Sequence, residues 1–185
     1  MEPPPASDAG FCLFDTQIGP CAIAWRSKMI AGVLLPEDEP AQTGPRMQRR
    51  FPDAVPATAP GWVQAVIERI QHLLDGGADD LGDVPLDMNG VPEFNQRVYT
   101  VTRAIGPGQT LSYGEVATRL GEPGAARAVG QALGHNPFAP IVPCHRVLAA
   151  GKRSGGFSAG GGVATKLMML QIERAQLGDG PGLFD

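Results

Sequence analysis

Three short apolar segments near the amino terminus, each bounded by turn residues, most constrain how this chain can fold. They cover residues 11–16, 21–25 and 29–35, and Ile18-Gly19-Pro20 separates the first two. Short apolar segments bounded by glycine and proline are typical of β-strands joined by tight turns. The sequence therefore predicts a small three-stranded sheet, and we expect residues 1–10 ahead of it to be disordered.

Helical spacing replaces the strand pattern further along the chain. Apolar residues recur every three or four positions at Trp62, Val66, Ile70 and Leu73, which predicts a helix over about residues 60–74. The polar, proline-rich stretch 36–59 is interpreted as a loop or weakly ordered segment, and residues 84–88 as an edge strand. Residues 11–91 are thus expected to form a small α/β domain.

A second domain, residues 92–175, is predicted to be mainly helical, with a flexible tail at 176–185. One apolar helix face carries Phe94 and ends before Gly106-Pro107-Gly108. The S-x-x-E spacing of Ser112 and Glu115 then predicts a capped helix to about residue 120. A second short helix over 125–135, rich in Ala and Gly, would complete a helix-turn-helix, although the pattern alone is weak.

Charge is divided unevenly between the two domains. The whole chain of 185 residues has a net charge of −4, which taken alone argues against a nucleic-acid partner. Residues 1–93 hold 6 basic and 14 acidic residues, whereas residues 94–175 hold 9 basic and 3 acidic ones. A basic half of this kind suggests contact with an anion such as nucleic acid. Chance variation is the alternative.

The three cysteines have no spacing typical of metal ligands or of a redox pair. Cys12 and Cys21 lie in apolar segments and are interpreted as small buried hydrophobes. We expect no zinc site, a reduced cytoplasmic protein, no membrane-spanning segment and no signal peptide.

The third cysteine, Cys144, stands in Ile141-Val142-Pro143-Cys144-His145-Arg146-Val147. A Cys beside a His can be a nucleophile and its base, and the nearby positive charges would favour the reactive thiolate. In an extended segment neighbouring side chains point apart, so a turn or a bridging water would be needed. The alternative is a buried structural Cys beside a surface His-Arg pair.

The Pro-Cys-His-Arg-Val segment resembles the active-site signature of the methylated-DNA–protein-cysteine methyltransferases, also called O6-alkylguanine-DNA alkyltransferases. Further matching motifs keep the family's order and spacing: Ser112-Tyr113-Gly114-Glu115, Ala126-Arg127-Ala128-Val129-Gly130, Asn136-Pro137, Gly155-Gly156-Phe157-Ser158 and Glu173. The resemblance covers about residues 92–175. It implies an α/β (α+β) protein whose RNase H-like amino-terminal domain precedes a helical domain with a helix-turn-helix.

The resemblance also implies the chemistry. Cys144 would take the alkyl group from O6 of guanine, with His145 as a base acting through water and Glu173 orienting the His. Asn136 would be a hinge, and Tyr113 would donate a hydrogen bond to the flipped guanine. The product thioether has no ready leaving group, so each protein molecule would react once, and no cofactor is needed. Thymine alkylated at O4 is a possible further substrate.

DNA contacts follow from the same resemblance. The second helix would enter the minor groove of double-stranded DNA, with small residues at Ala126, Ala128 and Gly130. Arg127 would fill the gap left by the flipped base, and the protein is expected to act as a monomer.

Five residues would form the substrate pocket. They are Phe157, Ser158, Val147, Pro143 and Phe94, among which Ser158 would bind O6 and Val147 would accept from the guanine amino group. Arg174 departs from the family's pattern, because Gly is common after the Glu.

Three other functions compete with alkyl transfer. A non-catalytic binder of alkylated DNA would lack the Cys, whereas Cys144 is present. A cysteine hydrolase would need an oxyanion hole, for which the sequence has no signature. A transcription regulator would need a dimer or a second reading element, and neither is evident.

Overall fold

A computed structural model of the protein describes residues 9–36, 39–149 and 162–175. The strands are Ala9–Thr16 (β1), Gly19–Arg26 (β2), Met29–Leu34 (β3), Leu111–Ser112 (β4) and Val147–Leu148 (β5). The α-helices are Thr43–Arg50 (α1), Gly61–Leu74 (α2), Glu93–Arg103 (α3), Tyr113–Arg119 (α4), Ala126–Gly134 (α5) and Gly162–Ile172 (α6). Single 3₁₀ turns occur at Pro40–Gln42 and Cys144–Arg146.

The first three strands form an antiparallel sheet in the order β1-β2-β3, as the sequence predicts. β1 begins at Ala9, two residues earlier than expected, because Ala9 and Gly10 already pair with β2. Alternate residues of β2 enter two different clusters of buried side chains on the two faces of the sheet. The central strand, β2, is therefore buried on both faces, which explains why its sequence is a nearly continuous run of apolar residues.

The second of those clusters is covered by α1, in the stretch 36–59 that was expected to be a loop. That prediction is wrong. α1 is polar apart from Met47, which is fully buried against the sheet. Pro45 stands in its first turn, where proline is tolerated in a helix. Phe51 follows, and its ring lies over Gly32 so closely that a Cβ at that position would collide with it.

The predicted edge strand at 84–88 is also wrong, because only one residue pair is bridged. Leu86 pairs with Ile30 in an isolated parallel bridge, through hydrogen bonds from Ile30 N to Pro85 O and from Asp87 N to Ile30 O. Pro85 has no N–H to donate, so the ladder does not extend past this point.

The second domain contains α3 to α6 and the short parallel pair β4–β5, which gives an α+β fold overall. The predicted helix pair is present as α4 and α5, which pack on each other and on α3. One cluster of buried apolar residues runs from the sheet and α2 into α3, α4 and α5, so the two domains share a core. Within the described residues, every helix is too short or too polar to cross a membrane.

Candidate active site

The segment that carries Cys144 is held by the residues just ahead of it. The Asn136 amide Nδ2 donates to Val142 O at 2.8 Å, and its Oδ1 accepts from Phe138 N at 2.9 Å. The Cys144 amide donates to the same Val142 carbonyl at 2.8 Å. Asn136, expected to be a hinge, thus connects the end of α5 to the nucleophile through one carbonyl oxygen.

Cys144, His145 and Arg146 form a single 3₁₀ turn, which supplies the turn that the sequence argument required. Pro143 precedes this turn, and its carbonyl accepts from Arg146 N at 2.9 Å. Cys144 is only 5% exposed and His145 is fully buried. The alternative of a surface His-Arg pair is therefore excluded.

His145 contacts Glu173, which follows α6 directly. The ring Nε2 donates to Glu173 Oε1 at 2.8 Å. Burial lowers the pKa of His145, although its hydrogen bond to Glu173 opposes this, so the ring is neutral near pH 7. The carboxylate can only accept, so Nε2 carries the proton and Nδ1 the lone pair. Nδ1 is buried and has no hydrogen-bond partner among the described residues.

Arg146 holds the same carboxylate from the other side. Its Nε donates to Glu173 Oε2 at 3.0 Å and its Nη2 to Oε1 at 2.7 Å, while Nη1 donates to Ile105 O at 2.6 Å. Burial on its own would raise the pKa of Glu173. Hydrogen bonds and charges from His145 and Arg146 outweigh burial and bring that pKa to about 2. Glu173 is therefore ionised near pH 7 and can stabilise a positive charge on the His145 ring.

The charge of Arg146 does not lower the pKa of the Cys144 thiol, contrary to expectation. Burial raises that pKa to about 11, and it outweighs the opposing effects of an Asn136 hydrogen bond and the Lys166 charge. Arg146 is directed at Glu173 instead. Cys144 is therefore a neutral thiol near pH 7, and it would need a base to become a thiolate.

Lys166, on α6, places a positive charge near the nucleophile. Its ammonium group is almost fully buried and donates to Val147 O at 2.9 Å. It also lies 5.8 Å from the centre of the Tyr113 ring. A carbonyl oxygen has two lone pairs, so Val147 O keeps one acceptor site. Lys166 and Glu173 are seven residues apart, which puts both on one side of the α6 segment.

The helix pair begins with the predicted capping box. Ser112 Oγ accepts from Glu115 N at 3.0 Å, and Glu115 Oε1 accepts from Ser112 N at 3.1 Å. This cap places Tyr113 at the first position of α4, where its half-buried ring packs against Gly130 of α5. The pKa of Tyr113 is raised, first by burial and then by the nearby Cys144. Cys144 is thus near enough to influence the ionisation of Tyr113.

The outer side of α5 is thin, as expected. Arg127 is exposed, and Ala126, Ala128 and Gly130 are partly exposed around it. The inner side is anchored, because the buried Tyr99 hydroxyl donates to Ala132 O at 2.7 Å.

The remaining predicted pocket residues lie in different places. Val147 and Pro143 flank the 3₁₀ turn and are buried. Phe94 is partly buried on α3 and packs against the main core. Phe157 and Ser158 lie outside the described residues.

A cavity of about 210 Å³ reaches Cys144 from the side of the first domain. Its wall combines residues 33–35 at the end of β3 with Arg46 and Arg50 of α1. The opposite wall is the hinge segment, including Asn136 and Ala139. The hinge is fixed to the sheet by the hydrogen bond from Val33 N to Pro137 O at 2.9 Å.

Sequence reasoning did not find the contact between Arg146 and Glu173, nor the positions of Lys166, Arg46 and Arg50 near Cys144. The seven-residue spacing of Lys166 and Glu173 is a signal that could have found Lys166. No signal of that kind exists for the two arginines of α1, because their position depends on how the first domain packs against the hinge.

Comparison with known proteins adds an independent observation. Residues 93–175 match the family model described as 6-O-methylguanine DNA methyltransferase, DNA binding domain. A Mycobacterium tuberculosis protein named methylated-DNA–protein-cysteine methyltransferase is 37% identical over 173 residues, or 92% of this chain and 96% of the relative. A Mycobacterium leprae protein of the same name is 43% identical over 130 residues, which covers 68% of this chain and 77% of the relative.

Two solved structures from Mycobacterium tuberculosis resemble the whole fold. The O6-methylguanine methyltransferase structure has a TM-score of 0.70 and 36% identity, and the match covers 96% of this chain and 99% of that chain. The structure of OGT in complex with DNA has a TM-score of 0.71 and 35% identity, with coverage of 90% and 94%.

Proposed function

This chain belongs to the methylated-DNA–protein-cysteine methyltransferase family, and from that premise we propose that Cys144 repairs double-stranded DNA by removing the alkyl group of O6-alkylguanine. The alkyl carbon is transferred to Sγ in one step. The product is a thioether, which water does not displace, so each protein molecule reacts once. No metal or organic cofactor takes part in this transfer.

One observation carries the proposal. Hydrogen bonds and an ion pair connect Arg146 through Glu173 to His145, and His145 is the residue that directly follows Cys144. Because Nε2 is committed to Glu173, the lone pair on Nδ1 is free to accept a proton. A water molecule between Nδ1 and Sγ would carry the thiol proton to the ring. This nucleophile, base and orienting carboxylate follow the arrangement found in other activated nucleophiles.

The DNA is proposed to bind along α5, with this helix in the minor groove. The alkyl group on O6 lies inside the stacked duplex, so the damaged base must be flipped out before attack. Arg127 would fill the vacated position, since it is exposed and has only small neighbours on its helix. Tyr113 would donate to the departing guanine, and Val147 O would accept from the guanine amino group. The protein would act as a monomer in the cytoplasm, where its thiol stays reduced.

The deciding experiment is mass spectrometry of the protein after incubation with duplex DNA that contains O6-methylguanine. We expect the peptide that carries Cys144 to gain the mass of one methylene group, with one methyl group bound per protein molecule. The peptides with Cys12 and Cys21 are the internal control, because neither of these cysteines adjoins a histidine in the sequence as Cys144 does.

The variant Cys144→Ala separates transfer from binding. We expect it to form no methylated product and still to bind the damaged duplex, because the substitution leaves the exposed side of α5, with Arg127, unchanged. Methyl transfer by this variant would refute the assignment of Cys144. Binding by the unaltered protein without any methylation would instead identify a non-catalytic binder of alkylated DNA.

A further inference from the structure

The cavity beside Cys144 is much larger than a methyl group requires. Its volume is about 210 Å³, whereas one water molecule, similar in size to a methyl group, occupies about 30 Å³ of liquid. Tyr113 and Val147, which the proposed function places around the guanine ring, do not line it. The cavity therefore borders Cys144 but lies away from the proposed position of the base.

Two positive charges stand in the wall of this cavity. Arg46 and Arg50 are one helical turn apart on α1 and both line it. Arg50 is exposed overall, but the surrounding protein partly desolvates its guanidinium group and lowers its pKa, and the neighbouring charge of Arg46 lowers that pKa further. Within the described part of the chain, Arg50 contacts the ring of Phe51 at 6.0 Å and forms no ion pair with a carboxylate. An anion in the cavity would be attracted by the charge of Arg50.

We infer that the cavity receives the O6 substituent of the damaged guanine, and that Arg50, with Arg46 beside it, favours substituents ending in a carboxylate. Carboxymethyl is the smallest such group. Guanidinium groups bind carboxylates through strong, charge-assisted hydrogen bonds. The inference rests on the proposed function, because it concerns the same nucleophile and the same reaction.

The reaction is the one already described, with a different group transferred. Sγ attacks the methylene carbon of the carboxymethyl group, and the C–S bond forms as the bond from that carbon to O6 breaks. The electron pair of the broken bond goes to guanine, which takes a proton, while the thiol proton goes to His145. The product is S-carboxymethylcysteine, and its carboxylate remains in the cavity with the two arginines.

The test compares two damaged duplexes of the same sequence. One contains O6-carboxymethylguanine and the other O6-carbamoylmethylguanine, which has nearly the same shape but no charge. The rate constants of transfer are measured by mass spectrometry of the Cys144 peptide, and their ratio is the readout. The two groups differ in intrinsic reactivity, so a ratio different from 1 would not by itself show a preference. The ratio of the unaltered protein is therefore compared with the ratios of the variants.

Three variants of α1 are compared. In Arg50→Gln we expect the ratio to fall on the order of tenfold, because a charge-assisted hydrogen bond is lost. Arg50→Lys keeps the charge and should retain most of the preference. Arg49→Gln is the matched control, since Arg49 is an exposed neighbour that does not line the cavity, and its ratio should be unchanged.

An unchanged ratio in Arg50→Gln would overturn the inference. If both rate constants fell together in that variant, the arginines would be contacting a DNA phosphate instead. Transfer from O6-methylguanine is measured in the same preparations. Its absence in the unaltered protein would refute the proposed function itself, which is a different outcome from a lost preference.

Discussion

Replacing Arg146 by Met should destabilise the protein by about 3–5 kcal/mol, because it leaves a buried carboxylate with one partner fewer. Arg146 is 1% exposed and donates two hydrogen bonds to Glu173. The pKa of Glu173 falls from 4.5 to about 2 in the folded protein. At 1.36 kcal/mol per pKa unit, ionised Glu173 contributes about 3 kcal/mol, and Arg146 supplies part of this, because His145 lowers the same pKa.

The sign of the pH dependence follows from the direction of this change. A carboxyl group whose pKa is depressed by folding contributes stability that is present above its unfolded pKa and is lost as pH falls. For Glu173 that loss spans the interval from about pH 4.5 down to about pH 2. The variant has already lost the part of this contribution that Arg146 supplies at pH 7, so the gap between the two proteins should narrow as the pH falls.

Urea unfolding at several pH values measures both effects. The matched control is Arg97→Met, which removes an ion pair between two half-exposed side chains, Arg97 and Glu122, and should cost about 0–1 kcal/mol at every pH. Equal losses for Arg146→Met and Arg97→Met at pH 7 would refute the argument. A gap between unaltered protein and Arg146→Met that stays constant down to pH 2 would refute it equally.

Three further substitutions test the site and its surroundings. Arg127→Ala should slow repair of duplex DNA far more than reaction with free O6-benzylguanine, since only the duplex requires flipping; equal losses on both substrates would contradict that role. Lys166→Met removes the positive charge that lowers the pKa of the nucleophilic thiol, so the rate of methyl transfer should fall at pH 7 and recover at higher pH; a uniform loss across the pH range would indicate a structural role only. Arg174→Gly should raise the melting temperature by roughly 2–4 °C, because Arg174 has a φ of +59°; a lower melting temperature would show that the Arg side chain has a stabilising contact.

The parts of the fold that local chemistry determines could be predicted from sequence. The capping box at Ser112 depends on two residues three positions apart, so their spacing alone predicts the start of α4. The position of Arg174 is a similar case. The Gly that is common in the family at this position suits a left-handed turn, and Arg174 adopts that conformation here, with the hydrogen bond from Ala175 N to Leu170 O at 3.0 Å closing the turn.

What could not be predicted depends on contacts between distant residues. α1 has one fully buried apolar side chain, Met47, so its sequence has no helical hydrophobic pattern, and packing on the sheet decides its conformation. The contacts of the Arg146 side chain could not be predicted for the same reason. Its partners are Glu173 and the carbonyl of Ile105, 27 and 41 residues away in sequence, and adjacency to Cys144 suggested a different role.

The same burial that hides Arg146 also keeps Cys144 in its less reactive thiol form. The thiol of Cys144 has a pKa of about 11, and that of His145 lies below its ordinary 6.5, so the gap between them exceeds four pKa units. Moving the proton before attack would then cost more than about 5 kcal/mol. That cost is offset only when the C–S bond forms and guanine takes up a proton in the same event. Glu173 assists by stabilising the imidazolium as it forms, which it can do because Arg146 keeps it ionised. A protein that reacts once benefits from this coupling, since a free thiolate would be consumed by oxidants before it met a lesion.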